Sequence, residues 1–137
     1  MRAVLIHLIA TVAAIFASSV VICLGLAWIA GSATLIDIVR FMPLVALFVT
    51  PPALLFGGAV AAFLYMSKRT SAMPHVVAGA VIGMVSVVGY SLLLAGRPAT
   101  IAPLLVNLGL FGGAGAIGAL VFWVIAVRRW ATQQAKA

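Results

Sequence analysis

The chain has 137 residues, of which 66% are hydrophobic and 7% charged. A water-soluble domain carries about 25% charged residues, so this chain lacks the polar groups to cover a surface in water, and a soluble fold is excluded. Its net charge of +7 comes from eight Lys and Arg against one acid, Asp37; because the basic residues sit at the ends of apolar runs and not along a stripe, the pattern marks membrane topology and excludes a nucleic-acid partner.

The first apolar run covers residues 3–30 behind Arg2. It is far longer than the 7–15 residues of a cleavable signal core, and the residue before Cys23 is bulky Ile22, unlike a lipoprotein site. The reading is a retained first transmembrane helix. A single cysteine permits no internal disulfide, and among apolar neighbours Cys23 is expected to act as a small hydrophobe. Thr11, Ser18 and Ser19 are expected to return their hydroxyls to carbonyls one turn back on their own helix. His7, about one turn in, is expected at headgroup depth.

Residues 31–40 form the first link. Asp37 and Arg40 stand three apart, a spacing that would pair them on the wet face of a short interfacial helix. The second helix is expected over 41–66 and contains Thr50-Pro51-Pro52 near its middle. Two consecutive prolines remove two N–H donors, so a kink is expected there. Thr50, Pro51 and Pro52 are therefore candidate hinge residues, with a static kink, relieved by Thr50 or a neighbouring helix, as the plainer alternative.

The link 67–73 carries Lys68 and Arg69, and the third helix is expected over 74–95. His75 opens it. Gly79 and Gly83 form a small-xxx-small pair within it, a spacing that lets helix backbones approach closely. After the Gly96-Arg97-Pro98 turn, the fourth helix is expected over 99–127. It carries Asn107 and a dense glycine pattern: Gly109, Gly112, Gly113, Gly115 and Gly118. A side-chain amide cannot easily satisfy itself in lipid, so Asn107 is expected to face another helix, a partner or a pore, with a bond across to another helix the favoured outcome. Gly79, Gly83, Asn107, Gly109, Gly112, Gly113 and Gly118 are the candidates for helix packing or a partner interface. An offset of sixty aligns Pro43-Leu44 through Lys68-Arg69 with Pro103-Leu104 through Arg128-Arg129, pairing Gly58 with Gly118. A duplicated hairpin would produce this alignment.

Each run approaches or exceeds the ~20 residues that cross a hydrocarbon core, and backbone groups in lipid must be satisfied within the segment, which requires helices here. Short links favour antiparallel neighbours, so the expected fold is an all-α membrane protein: one domain over 1–137, with four transmembrane helices in an up-down-up-down bundle. With the amino terminus in the cytoplasm, Arg2, Lys68, Arg69, Arg128, Arg129 and Lys136 lie inside, and only Arg40 and Arg97 outside. This bias orients the chain in a bacterial-type inner membrane with both termini cytoplasmic. Trp28 and Tyr90 then fall toward the outer headgroups, and Tyr65, Trp123 and Trp130 toward the inner ones.

No proton carrier stands near mid-membrane, and no catalytic, metal or cofactor constellation is legible. The chain has the size of the small multidrug-resistance transporters but no glutamate, the residue through which those couple to protons. The expectation is a non-catalytic accessory or assembly subunit, in contact with lipid and with another membrane subunit or a second copy. The competing expectation is a small oligomeric transporter or channel without an acidic coupling residue.

Overall fold

The structure is a computed structural model that describes residues 2–31, 34–67, 71–95 and 101–128. Among these, four helices are long and apolar enough to cross a membrane. Their apolar spans of 22 to 31 residues correspond to about 33–46 Å at 1.5 Å per residue, enough for a ~30 Å hydrocarbon core. The protein is an all-α membrane protein with its four transmembrane helices in an up-down-up-down bundle.

Helix α1 spans Arg2–Ala30. It stops at Gly31, whose φ of 70° lies in the left-handed region that glycine enters without a Cβ penalty. The Gly31 N–H turns back to the carbonyls of Ala27 (3.2 Å) and Trp28 (3.3 Å), a glycine cap on carbonyls that would otherwise be orphaned.

Helix α2 covers residues 35–66 and starts six residues before the expected boundary at 41. The reason is a capping box. The Asp37 N–H donates to the Thr34 hydroxyl oxygen (3.3 Å), while the Asp37 carboxylate accepts from the Thr34 N–H (3.0 Å) and hydroxyl (2.7 Å). Thr34 thereby nucleates the helix and satisfies a donor of its first turn. The expected pairing of Asp37 with Arg40 on a separate interfacial helix is thus replaced: Asp37 is engaged by Thr34, and both residues lie in the first turns of α2 itself. Pro43, Pro51 and Pro52 all lie inside the helix.

Helix α3 spans Ala72–Ala95. Helix α4 spans Ile101–Val127 and ends in a π-helical turn, Trp123–Val127. Lys68, Arg69, the Gly96-Arg97-Pro98 turn, Arg129, Trp130 and Lys136 lie outside the described residues.

Helix α4 is the centre of the bundle, packed along α3 on one side and along α1 on the other. Helix α2 lies mainly against α1 and touches α3 only sparsely. The buried core is built from small side chains, among them Ala10, Cys23, Ala114 and Ala126. Large apolar groups instead face outward: Trp28 is 87% exposed and Leu93 80%. This inversion is what lipid favours. Where the solvent is as apolar as leucine, helices gain by close backbone approach and not by hiding their large side chains.

Candidate functional site

The glycines of α3 and α4 explain how three helices close up. A Cβ on Gly79 would strike the Gly115 carbonyl oxygen and lie 2.5 Å from the Ala119 Cβ, and a Cβ on Gly115 would strike the Gly79 carbonyl oxygen in return. One turn along, a Cβ on Gly83 would strike the Phe111 carbonyl oxygen and approach the Gly112 nitrogen at 3.3 Å. Backbone therefore lies against backbone along this seam. Gly112 faces the side chain of Met84, with Cε at 2.8 Å from an added Cβ.

The α1–α4 seam is closed by Gly118, whose added Cβ would strike the Ser18 Oγ and come within 3.0 Å of the Ala14 carbonyl oxygen. That approach lets the Ser18 hydroxyl donate across the seam to the Ala114 carbonyl at 3.0 Å. The expectation that Ser18 serves its own helix is corrected here. Thr11, Ser19 and Ser86 do bond the carbonyls one turn back, at 2.9, 2.8 and 2.7 Å.

Gly109 and Gly113 differ from the other candidates. Both are exposed, and an added Cβ at either would meet nothing within 4 Å. Gly58 is equally open whereas Gly118 is packed against α1, so the two positions paired by the sixty-residue offset do not share an environment.

Gathering α1, α3 and α4 on one side leaves a cavity of about 720 Å³ on the other, closed over by α2. Its walls are Thr11, Ala14, Ser18 and Ile22 of α1; Phe48, Pro52, Ala53, Leu54, Gly57, Ala61 and Leu64 of α2; Ala78, Ile82, Ser86 and Tyr90 of α3; and Phe111, Ala114 and Phe122 of α4. The volume falls in the ~300–1,000 Å³ range of small-molecule sites. The pocket is apolar and only partly enclosed. In a membrane it is therefore a space that lipid or ligand atoms fill.

The prolines shape the α2 wall. Pro52 offers no N–H to the Phe48 carbonyl one turn back, and the Tyr90 hydroxyl of α3 donates to that oxygen at 2.6 Å. The two rings meet edge to face, with centroids 5.5 Å apart at 88°, a favoured aromatic geometry. Thr50 donates to the Ala46 carbonyl at 2.6 Å. Directly after Pro52 the helix widens into a π turn, Ala53–Gly57, and Ala53, Leu54 and Gly57 of that turn line the cavity. Such turns are frequent at functional sites. The sequence reading placed Tyr90 at the headgroups and missed this bond, although a proline in mid-membrane always raises the question of which donor serves the freed carbonyl.

One end of the cavity, beside the start of α1 and the end of α4, is marked by His7, Tyr65 and His75. His7 stands edge to face with Phe122 (centroids 6.2 Å, 62°). His75 is only 6% exposed, which corrects the expectation that it faces headgroups. Its Nδ1 is 3.0 Å from the Ser71 carbonyl oxygen, and since a carbonyl only accepts, Nδ1 carries the proton of that bond. Among the described residues no side-chain nitrogen or oxygen is both fully enclosed and without a partner; the His75 Nε2 therefore reaches accessible space. No group of three metal-ligating side chains converges among the described residues.

Asn107 lies one turn before Phe111 on the stripe that continues through Ala114, Gly118 and Phe122, all four of which line the cavity, since positions four and seven apart share a helix face. It is half-buried and makes no side-chain hydrogen bond among the described residues. Among the described residues its amide makes no bond to another helix, which leaves the partner and pore expectations in place.

Compared with protein-family models, curated proteins and solved structures, the chain matches none.

Proposed function

We propose that the chain is a non-catalytic accessory or assembly subunit of a bacterial-type inner membrane, with both termini cytoplasmic, that packs against another membrane protein or a second copy of itself. The observation that carries this reading is the open Gly109–Gly113 face of α4. These glycines stand one turn apart at the spacing used for close helix approach, yet they point away from the bundle and touch nothing within it. Glycine costs a helix about 1 kcal/mol relative to alanine in water. Retaining two on a face the fold does not use is accounted for by a partner that does use it. Gly79, Gly83, Gly112 and Gly118, by contrast, are spent on the bundle's own seams.

The test is native mass spectrometry of the full chain extracted from its own membrane in mild detergent. A dimer or hetero-complex in wild type that dissociates in Gly113→Leu, with helicity unchanged, is the expected result. Monomer alone in wild type would refute the reading. A carboxy-terminal reporter active only outside the cytoplasm should be silent if the proposed orientation holds.

The cavity and the proline-broken wall of α2 favour the second reading, a small oligomeric transporter or channel without an acidic coupling residue. Liposome flux that is lost in Asn107→Leu would support it, since Asn107 continues the cavity-lining stripe of α4.

A further inference from the structure

The geometry points to the central cavity as a binding site for a single-chain anionic amphiphile, its acyl chain along the apolar walls and its acidic head against His75. Three observations converge on this ligand.

The first is that the hydroxyls in the walls are already committed. Thr11 and Ser86 bond their own helices, Ser18 bonds the Ala114 carbonyl, and Tyr90 bonds the Phe48 carbonyl. A ligand with acceptor groups along its length would find no free hydroxyl donor there and would lose the bonds it makes in water. An unbranched hydrocarbon loses nothing.

The second is that a polar atom remains at one end. With Nδ1 donating to Ser71, the His75 ring is fixed in orientation, and Nε2, the acceptor nitrogen of that tautomer, is the atom left to take the proton of an acidic ligand head, which leaves an imidazolium beside the anion.

The third is charge. The only acid of the chain, Asp37, stands at the opposite end of α2 from Tyr65, beside the Thr34 cap. Among the described residues the end of the bundle bearing His75 has no side-chain carboxylate, while Arg2 opens α1 and Arg128 follows the last turn of α4 on that side. A negative head is attracted there and meets no like charge. The sparse contact between α2 and α3 supplies a lateral way in from the hydrocarbon. This site is separate from the Gly109–Gly113 face, which lies on the opposite side of α4, so binding and partner contact fail independently.

The test uses the full chain in phosphatidylcholine nanodiscs and a long-chain fatty acid carrying a photoactivatable diazirine, with adducts mapped by mass spectrometry. Saturable labelling is expected on cavity-lining residues of α2 and α3, displaced by unlabelled fatty acid or by lysophosphatidic acid. The stronger of these two competitors identifies the head as carboxylate or phosphate, and either upholds the proposal. The methyl ester of the same chain should compete at least tenfold less well. Gly57→Leu places a side chain where an added Cβ meets nothing within 4 Å, at a position lining the cavity, and should reduce saturable labelling about tenfold or more. Gly89→Leu, also open but outside the cavity lining, should label as wild type. His75→Leu should weaken apparent affinity about tenfold, and His75→Gln, which keeps a hydrogen-bonding head, should recover part of it. Non-saturable labelling spread over the outer face, equal competition by the ester, or unchanged labelling in Gly57→Leu would each overturn the proposal.

Discussion

The glycines of this bundle make a graded set in which the same substitution, glycine to alanine, should have costs set by what the new methyl meets. At Gly83 it meets the Phe111 carbonyl oxygen and, at 3.3 Å, the Gly112 nitrogen. Both are backbone atoms of a helix that cannot yield locally, so α3 and α4 must separate. Overpacking of this kind costs about 1–3 kcal/mol, and with rigid backbone on the far side Gly83→Ala belongs near the top of that range. Gly79→Ala, facing the Gly115 oxygen and the Ala119 Cβ, should cost as much. At Gly112 the nearest atom is the Met84 Cε at 2.8 Å, the tip of a flexible side chain that can rotate aside; the cost should stay under about 1 kcal/mol. At Gly109 and Gly113 nothing lies within 4 Å, and the change should be neutral or stabilising by up to about 1 kcal/mol. A difference of 2 kcal/mol between Gly83→Ala and Gly113→Ala is roughly a 30-fold difference in the unfolded population. Equilibrium unfolding in mixed micelles, titrated with a denaturing detergent and followed by tryptophan fluorescence at low protein-to-micelle ratio, resolves it. Equal costs at Gly83 and Gly113, or a neutral Gly83→Ala, would refute the backbone-contact account of the α3–α4 seam.

The same unfolding assay checks two further expectations. Tyr90→Phe removes the donor that serves the Phe48 carbonyl and should cost about 1–2 kcal/mol; in a Pro52→Ala background residue 52 supplies its own N–H to that oxygen, so the cost should drop and the double-mutant cycle should show a coupling of about 1 kcal/mol. Ser18→Ala should cost about 0.6 kcal/mol, the scale of an interhelical bond to a carbonyl that keeps its own helix partner, while Ser19→Ala, whose bond to Ile15 lies within one helix, should cost measurably less.

The four spans were legible because hydrophobic run length is a one-dimensional property and lipid enforces it. The start of α2 was not, and the reason is local: Thr34 and Asp37 form a capping box at the required spacing, but the i, i+3 rule for Asp37 and Arg40 offered an equally good pairing from the same residues. A carboxylate three residues after a threonine has two competing uses, and only the backbone conformation at Thr34, φ −83° and ψ 161°, decides between them. The glycine pattern located the close seams, yet in a helix as glycine-rich as α4 spacing alone does not say which face turns inward; Gly112 and Gly118 do, and Gly109 and Gly113 do not. The cavity was illegible for a deeper reason. It is created by how far apart helices stand, and no residue type signals a gap between its neighbours.

That gap follows from two local rules acting on opposite sides of α4. Where α1 and α3 meet α4, glycine and serine allow backbones to touch, and the helices close to the limit their atoms permit. Helix α2 has no such seam: the added Cβ positions at Gly57 and Gly58 meet nothing, and its ladder is interrupted at Pro52 and widened through Gly57. Its tie to α3 is a hydrogen bond from Tyr90 to a carbonyl that exists as a free acceptor only because Pro52 cannot fill it. The prolines that break α2 thus also create an attachment point, at the Phe48 level, and beyond that level toward His75 the helix keeps only sparse contact, chiefly with α3. A cavity with its polar atom at the far end from the tether is the geometric consequence, and this makes α2 the wall through which an acyl chain enters.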